Sequence, residues 1–131
     1  MMLKSRLKAD KFIQSSFRNL LQREFKDLGE TNLFNIALAT GEALQNIVRY
    51  GYAFQDHKEV RISLDQIGDR FVIEIIDDAP PCPVENFMQH QFTPSDHGGM
   101  GIAIIKKLTQ IFEIKPLAQG NLTRLVFKLN I

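Results

Sequence analysis

Residues 31–52, TNLFNIALATGEALQNIVRYGY, constrain the fold more than any other stretch of the chain. Wound as an α-helix, they place Glu42, Asn46 and Arg49 on one polar stripe and Leu33, Ile36, Ala37, Thr40, Leu44, Ile47 and Val48 on a second stripe opposite it. Phe34, Leu38, Ala39 and Ala43 flank the polar stripe, so no broad solvated face is left. A helix that is apolar nearly all round is buried in a larger fold, and polar groups set into such a surface need partners. Either the three polar residues satisfy one another, or they line a pocket.

With 131 residues, 44% of them hydrophobic and 24% charged, residues 1–131 suit one globular domain with its own core. A formal net charge of +1 argues against direct binding to nucleic acid or to an anionic membrane, both of which favour a strongly basic face. No apolar run approaches the roughly 20 residues needed to span a bilayer. The opening MMLKSRLKADKF lacks the apolar centre of a secretory signal, so a cytoplasmic location without membrane contact is expected. The single cysteine, Cys82, has no internal partner, and His57, His90 and His97 have no metal-ligand spacing, so no zinc site is expected.

Taken in order, Leu3 and Leu7 suggest a short edge strand over 2–7. Asp10 then starts a helix over 11–28, with Ile13, Phe17, Leu20, Leu21 and Leu28 on its apolar side and Gly29 as its stop. Lys11, Arg18, Arg23 and Lys26 fall on the other side, as a solvated face or a partner surface. After the 31–52 helix, Val60, Ile62 and Leu64 alternate with polar residues as a strand, Gly68-Asp69 turns, and 71–76 forms a more uniformly apolar strand expected at the sheet centre. Residues 80–97 have no clean period and four prolines, which marks a long loop. HGGMG then leads into a helix over 102–112, residues 113–116 offer a short strand, 119–121 a turn, and Leu125, Phe127, Leu129 and Ile131 alternate as a last strand. This order predicts an α+β fold: a two-layer α/β sandwich with helices on one face of a mixed, mostly antiparallel sheet.

Three groups of residues could carry chemistry. Gly98, Gly99 and Gly101 precede a helix, where exposed N–H groups and the helix dipole favour phosphate; a plain turn explains them equally, and the segment is not a Walker A loop. Asp77 ends an apolar strand and either accepts a hydrogen bond from a ligand's amino group or caps the turn before Pro80. Glu42 and Asn46, four apart, offer a carboxylate and an amide to one ligand or to each other.

Glu42-xxx-Asn46, Asp77-x-Ala79, Gly99-x-Gly101 and Thr123 in the last strand occur in an order that resembles the small serine kinases acting as anti-sigma factors in bacterial partner-switching systems. These belong to the GHKL superfamily, shared with gyrase, mismatch-repair ATPases and histidine-kinase catalytic domains. The likeness runs from about Lys8 to Ile131. It implies a Bergerat-type ATP-binding fold, ATP and Mg2+ as cofactors, and phosphorylation of a serine on a STAS-domain antagonist in competition with a sigma factor or other target. In this resemblance Glu42 is the general base, Asn46 the magnesium ligand, and Asp77 the acceptor for the adenine amino group, with Thr123 nearby. Gly99, Met100 and Gly101, with Ile102 following, give backbone amides to the phosphates, and 80–97 forms the lid. Related kinases form homodimers, so a homodimer is left open.

Three positions depart from the family pattern. Ala79 stands where the family has glycine, Pro81 replaces a lid glycine, and 80–97 contains no Lys or Arg, which leaves His97 or Arg49 to meet the phosphates. If neither does so, the chain is a nucleotide-binding interaction module without significant kinase activity. A histidine-kinase fragment and the larger gyrase-like ATPases rank below these readings.

Overall fold

The computed structural model describes residues 2–55, 57–81 and 99–130. Five strands form one sheet, β1 (Met2–Lys8), β2 (Glu59–Ile67), β3 (Arg70–Asp77), β4 (Ile111–Pro116) and β5 (Asn121–Lys128), in the order β1-β2-β3-β5-β4. Every pairing is antiparallel, which is the limiting case of the mostly antiparallel sheet expected. Helices α1 (Ile13–Glu24), α2 (Glu30–Asn46) and α3 (Gly99–Leu108) cover one face, with α2 packed against both of the others. The two-layer α/β sandwich is therefore as predicted.

The helices start and stop for local reasons. Asp10 Oδ1 accepts the Phe12 N–H at 2.9 Å, a turn that feeds α1, and Ile13, Phe17, Leu20 and Leu21 are its buried side. The helix closes at Glu24 and continues as a 3-10 turn over Lys26–Leu28, so the expected 11–28 helix is shorter at both ends. Buried Asn32 then ties α2 to the end of the chain: its amide donates to the carbonyls of Leu28 and Asn130 and accepts the Asn130 N–H. α2 stops being α-helical at Asn46, and Ile47–Gly51 form a π-helical turn.

β3 is the middle strand, as its apolar character predicted. Its inward positions are Phe71, Ile73, Ile75 and Asp77, all buried. The Phe71 ring meets Phe25 edge-on at 5.0 Å, and Ile36, Leu44, Val48 and Ile105 close the core from the helices. Strand alternation thus carries Asp77 inward with three apolar side chains, onto the helix-covered face. β5 repeats the pattern, with Asn121, Thr123, Leu125 and Phe127 buried, and pairs Asn121 with Asp77 and Thr123 with Ile75.

Two expectations are corrected. Ile111 and Phe112 belong to β4 and not to the preceding helix, because pairing with Val126 and Leu125 outweighs the helical spacing of Ile105, Leu108 and Phe112. The 31–52 helix also has a solvent side: Phe34 is 63% exposed and Leu38 36%.

Candidate functional site

Between the π turn, the end of β3 and the β4–β5 pair lies a cavity of about 290 Å³. Asn46, Asp77 and Thr123, singled out from sequence in three separate segments, line it together, along with Tyr50, Asn121 and Phe112. Its size is near the lower end of small-molecule sites, about 300–1,000 Å³, and suits a flat ring system more than a whole nucleotide.

Asp77 is 2% exposed. Its Oδ1 accepts hydrogen bonds from the Asn121 side-chain amide and from the Ala79 backbone N–H, both at 3.0 Å. Because both bonds fall on one oxygen, Oδ2 is the atom left to receive a donor from the cavity. Burial pushes the Asp77 carboxyl above its ordinary range; the bonds from Asn121 and Ala79 pull in the opposite direction, and neighbouring Asp78 adds to the rise. Asn121 also donates to the Pro80 carbonyl at 3.2 Å, which holds the chain as it leaves β3.

The turn before β5 passes close to the Asp77 backbone. Gly120 has φ +91°, and a Cβ there would collide with the Asp77 carbonyl oxygen. Only glycine fits, since both the conformation and the close approach exclude a side chain.

The π turn explains why the polar stripe on 31–52 does not continue to its third member. A wider turn advances by less than the α-helical angle per residue, so residues after Asn46 fall behind the α-helical register. Tyr50 shares the cavity with Asn46, whereas Arg49 does not line it and instead lies 5.9 Å from the Tyr50 ring centroid.

Glu42, one turn before Asn46, lies apart from the cavity lining. It borders a groove of about 660 Å³ between α1 and α2, floored by Leu33, Phe34, Ala37 and Leu38. Its carboxylate also sits against the first turn of α3: a Cβ on Gly101 would lie 2.6 Å from Glu42 Oε2. The N–H groups of a helix's first turn have no intrahelical partners, so this carboxylate stands beside an anion-attracting helix end that begins at Gly99. Ile102 and Ala79 are both buried in the core. His97 and most of the expected 80–97 lid lie outside the described residues; Pro80 and Pro81 line the cavity.

Sequence pattern alone puts Asn121 in a turn and does not single out Tyr50 or Gly120, whereas Asn121 starts β5 and lines the cavity with Tyr50. Counting back by two from buried Leu125 reaches Thr123 and then Asn121, so strand alternation held the signal. Nothing local marked the π turn. Among the described residues no group of three or more His, Cys, Asp or Glu could hold a metal ion, and no helix is long and apolar enough to cross a membrane.

No curated protein matches the chain by sequence. Among solved structures, the RsbU and RsbW domains of Rv1364c from Mycobacterium tuberculosis superpose with a TM-score of 0.69 at 17% identity, covering 98% of this chain and 32% of that one. The chain thus spans about a third of that protein's length. A mycobacterial sensor histidine kinase, MprB, gives 0.60 at 17% identity over 98% of this chain and 99% of that one. The catalytic domain of histidine kinase ThkA gives 0.61 at 12% identity, with 97% and 96% covered. At such identities these likenesses speak for the fold. A family model described as the histidine kinase-like ATPase domain matches residues 5–127, nearly the whole chain, and the protein belongs to that family.

Proposed function

We propose that this protein is an ATP-dependent protein serine kinase of a bacterial partner-switching system. It phosphorylates a STAS-domain anti-anti-sigma factor and sequesters a sigma factor or an equivalent target. The observation that carries the nucleotide half of this reading is Asp77, a buried carboxylate with one oxygen held by the protein and the other left for a ring-sized cavity. An acceptor there favours a 6-amino purine, whose amino group donates, over a 6-oxo purine, which presents a second acceptor. The likeness to a structure containing an RsbW domain supports the partner-switching half.

In this reading adenine enters the cavity against Asp77 and Thr123, and the backbone amides of Gly99, Met100, Gly101 and Ile102 face the phosphates. Asn46, 6% exposed on the cavity wall, would supply one oxygen ligand to magnesium. A hard, small cation of this kind keeps waters and phosphate oxygens as its other ligands, so one protein oxygen is a fitting donor set. Glu42 accepts the proton of the substrate serine hydroxyl. The serine oxygen then bonds to the γ-phosphorus as the bond to the β–γ bridging oxygen breaks, and ADP leaves. Catalysis of this reaction rests on positioning and charge neutralisation. His97 or Arg49 is the basic group proposed to meet the phosphates.

The test is incubation with labelled Mg·ATP and a candidate STAS protein, read by mass for phosphoserine on the partner. The expected result is serine phosphorylation that disappears in Glu42→Ala while ATP binding persists. ATP binding without any transfer would support the interaction module instead, a reading favoured by the absence of Lys and Arg from residues 80–97. Failure to bind ATP would overturn both.

A further inference from the structure

Tyr52 is 3% exposed, and its atoms join three segments of the chain. Its backbone N–H closes the π turn on the Ile47 carbonyl at 2.8 Å. Its hydroxyl donates to the Glu59 carbonyl at the start of β2, at 2.9 Å, and accepts the Asp78 N–H at 2.7 Å. The Asp78 N–H belongs to the peptide that joins Asp77 to Asp78. The carbonyl oxygen of that same peptide is the atom that a Cβ on Gly120 would meet. The peptide carrying Asp77 is therefore hydrogen-bonded at its N–H by a phenol, and its carbonyl lies where any side chain at position 120 would strike it. Tyr52 also sits directly after Ile47, Tyr50 and Gly51, which form the cavity wall facing Asp77.

We propose that Tyr52 is a positioning residue for base recognition: from behind the cavity, its hydroxyl fixes the Asp77–Asp78 peptide and so sets where Asp77 Oδ2 meets a purine's 6-amino group. The inference rests on the nucleotide reading of the cavity and adds to it a residue that does not touch the ligand. Burial raises the Tyr52 phenol above its ordinary range, with Asp77 and Asp78 acting in the same direction and the Asp78 N–H opposing. The phenol therefore keeps its proton and its bond to Glu59. The side chain of Asp78 does not hold this peptide: it is 62% exposed and pairs with Arg61 at 3.2 Å.

The experiment is titration of ATP and ITP into the wild-type protein and into Tyr52→Phe, which removes one oxygen and keeps the ring, with thermal melting alongside. The wild type is expected to prefer ATP. The Phe variant should lose about tenfold in ATP affinity and little in ITP affinity, so that the ATP:ITP ratio narrows. In an Asp77→Asn background the same change should leave the ratio where Asp77→Asn alone puts it, and Asp78→Ala should leave the wild-type ratio intact. A Phe variant that melts earlier but keeps the wild-type ratio would show a purely structural role and overturn the proposal. So would a further fall in the ratio on top of Asp77→Asn. A wild type that binds ATP and ITP equally, or neither, would remove the nucleotide reading itself and the role of Tyr52 with it.

Discussion

Glu42 and Asp77 are both carboxylates on the helix side of the sheet, and the chain treats them differently. Asp77 lies at a strand end, 2% exposed, with one oxygen taken by two protein donors and the peptide after it hydrogen-bonded by Tyr52. Glu42 lies on a helix, half-buried, bordering an open groove and set against Gly101 at the start of α3. A group that must recognise one edge of a ring gains from being immobilised, because every hydrogen bond it will make is then pre-aimed. A group that must take a proton from a second protein has to be reachable. In the proposed function the same side-chain chemistry is divided into a reader and a base, a division that matches the difference in burial and in the donors each is given.

The largest effect expected from breaking this comparison is at the reachable carboxylate. Glu42→Ala should reduce phosphoryl transfer by about 10²–10⁴-fold, the usual contribution of a positioned general base, and leave ATP affinity near its wild-type value. Single-turnover transfer and a separate binding titration check the two halves; equal losses in both would mean that Glu42 belongs with Asp77 as a binding group. Gly120→Ala should come next, since it forces a Cβ into the Asp77 carbonyl at a φ that side chains avoid. The conformational part alone costs about 1–3 kcal/mol, and the displaced Asp77 should carry nucleotide affinity down with it. A melting curve and an ATP titration read both, and a variant that melts like the wild type would show that the β4–β5 turn yields easily. Asn46→Ala should bring ATP affinity in magnesium down to its metal-free level. Calorimetry with and without the metal decides it, and an unchanged magnesium dependence would remove the ligand role.

The two regions also differ in how far the sequence reveals them. Glu42 and Asn46 were visible because a carboxylate and an amide stood out on an otherwise apolar helix. Asp77 was visible because it ended an apolar strand. Their surroundings were less so. Asn121 was hidden by a glycine beside it, which made a turn the natural reading although β5 starts at that residue. An unbroken α-helix puts Arg49 on one stripe with Glu42 and Asn46, whereas the π turn at Ile47–Gly51 brings Tyr50 to the cavity instead. Such a turn is stabilised by tertiary contacts, here the Tyr52 staple, and those have no local signature. The α3–β4 boundary was misplaced for a similar reason: Ile111 and Phe112 fit a helical spacing, and only the partner strand decides against it. Patterns within a segment were legible, whereas choices made between segments were not.

The smallest expected effect sharpens the reader side, and it runs in opposite directions for function and stability. Asp77→Asn keeps the side-chain oxygen that accepts from Asn121 and Ala79, and it removes the cost of burying a charge. ATP affinity should fall by about tenfold, because the amide that replaces Oδ2 is a donor facing a donor. Stability near neutral pH should rise. The pH dependence fixes the cause. Burial raises the native carboxyl above its unfolded value, so the folded wild type holds the proton more tightly than the unfolded chain does. Wild-type stability is therefore lost as pH rises through the raised native value and recovered as pH falls from there to the ordinary carboxylate range near 3.9. Asp77→Asn lacks this titration. Melting temperatures of the two proteins should be furthest apart at neutral pH, with the variant higher, and should converge on acidification through that window. A gap that stayed constant with pH, or a variant that melted lower at neutral pH, would mean that Asp77 is held as a satisfied anion by Asn121 and Ala79, and that it is not a buried charge kept for a ligand.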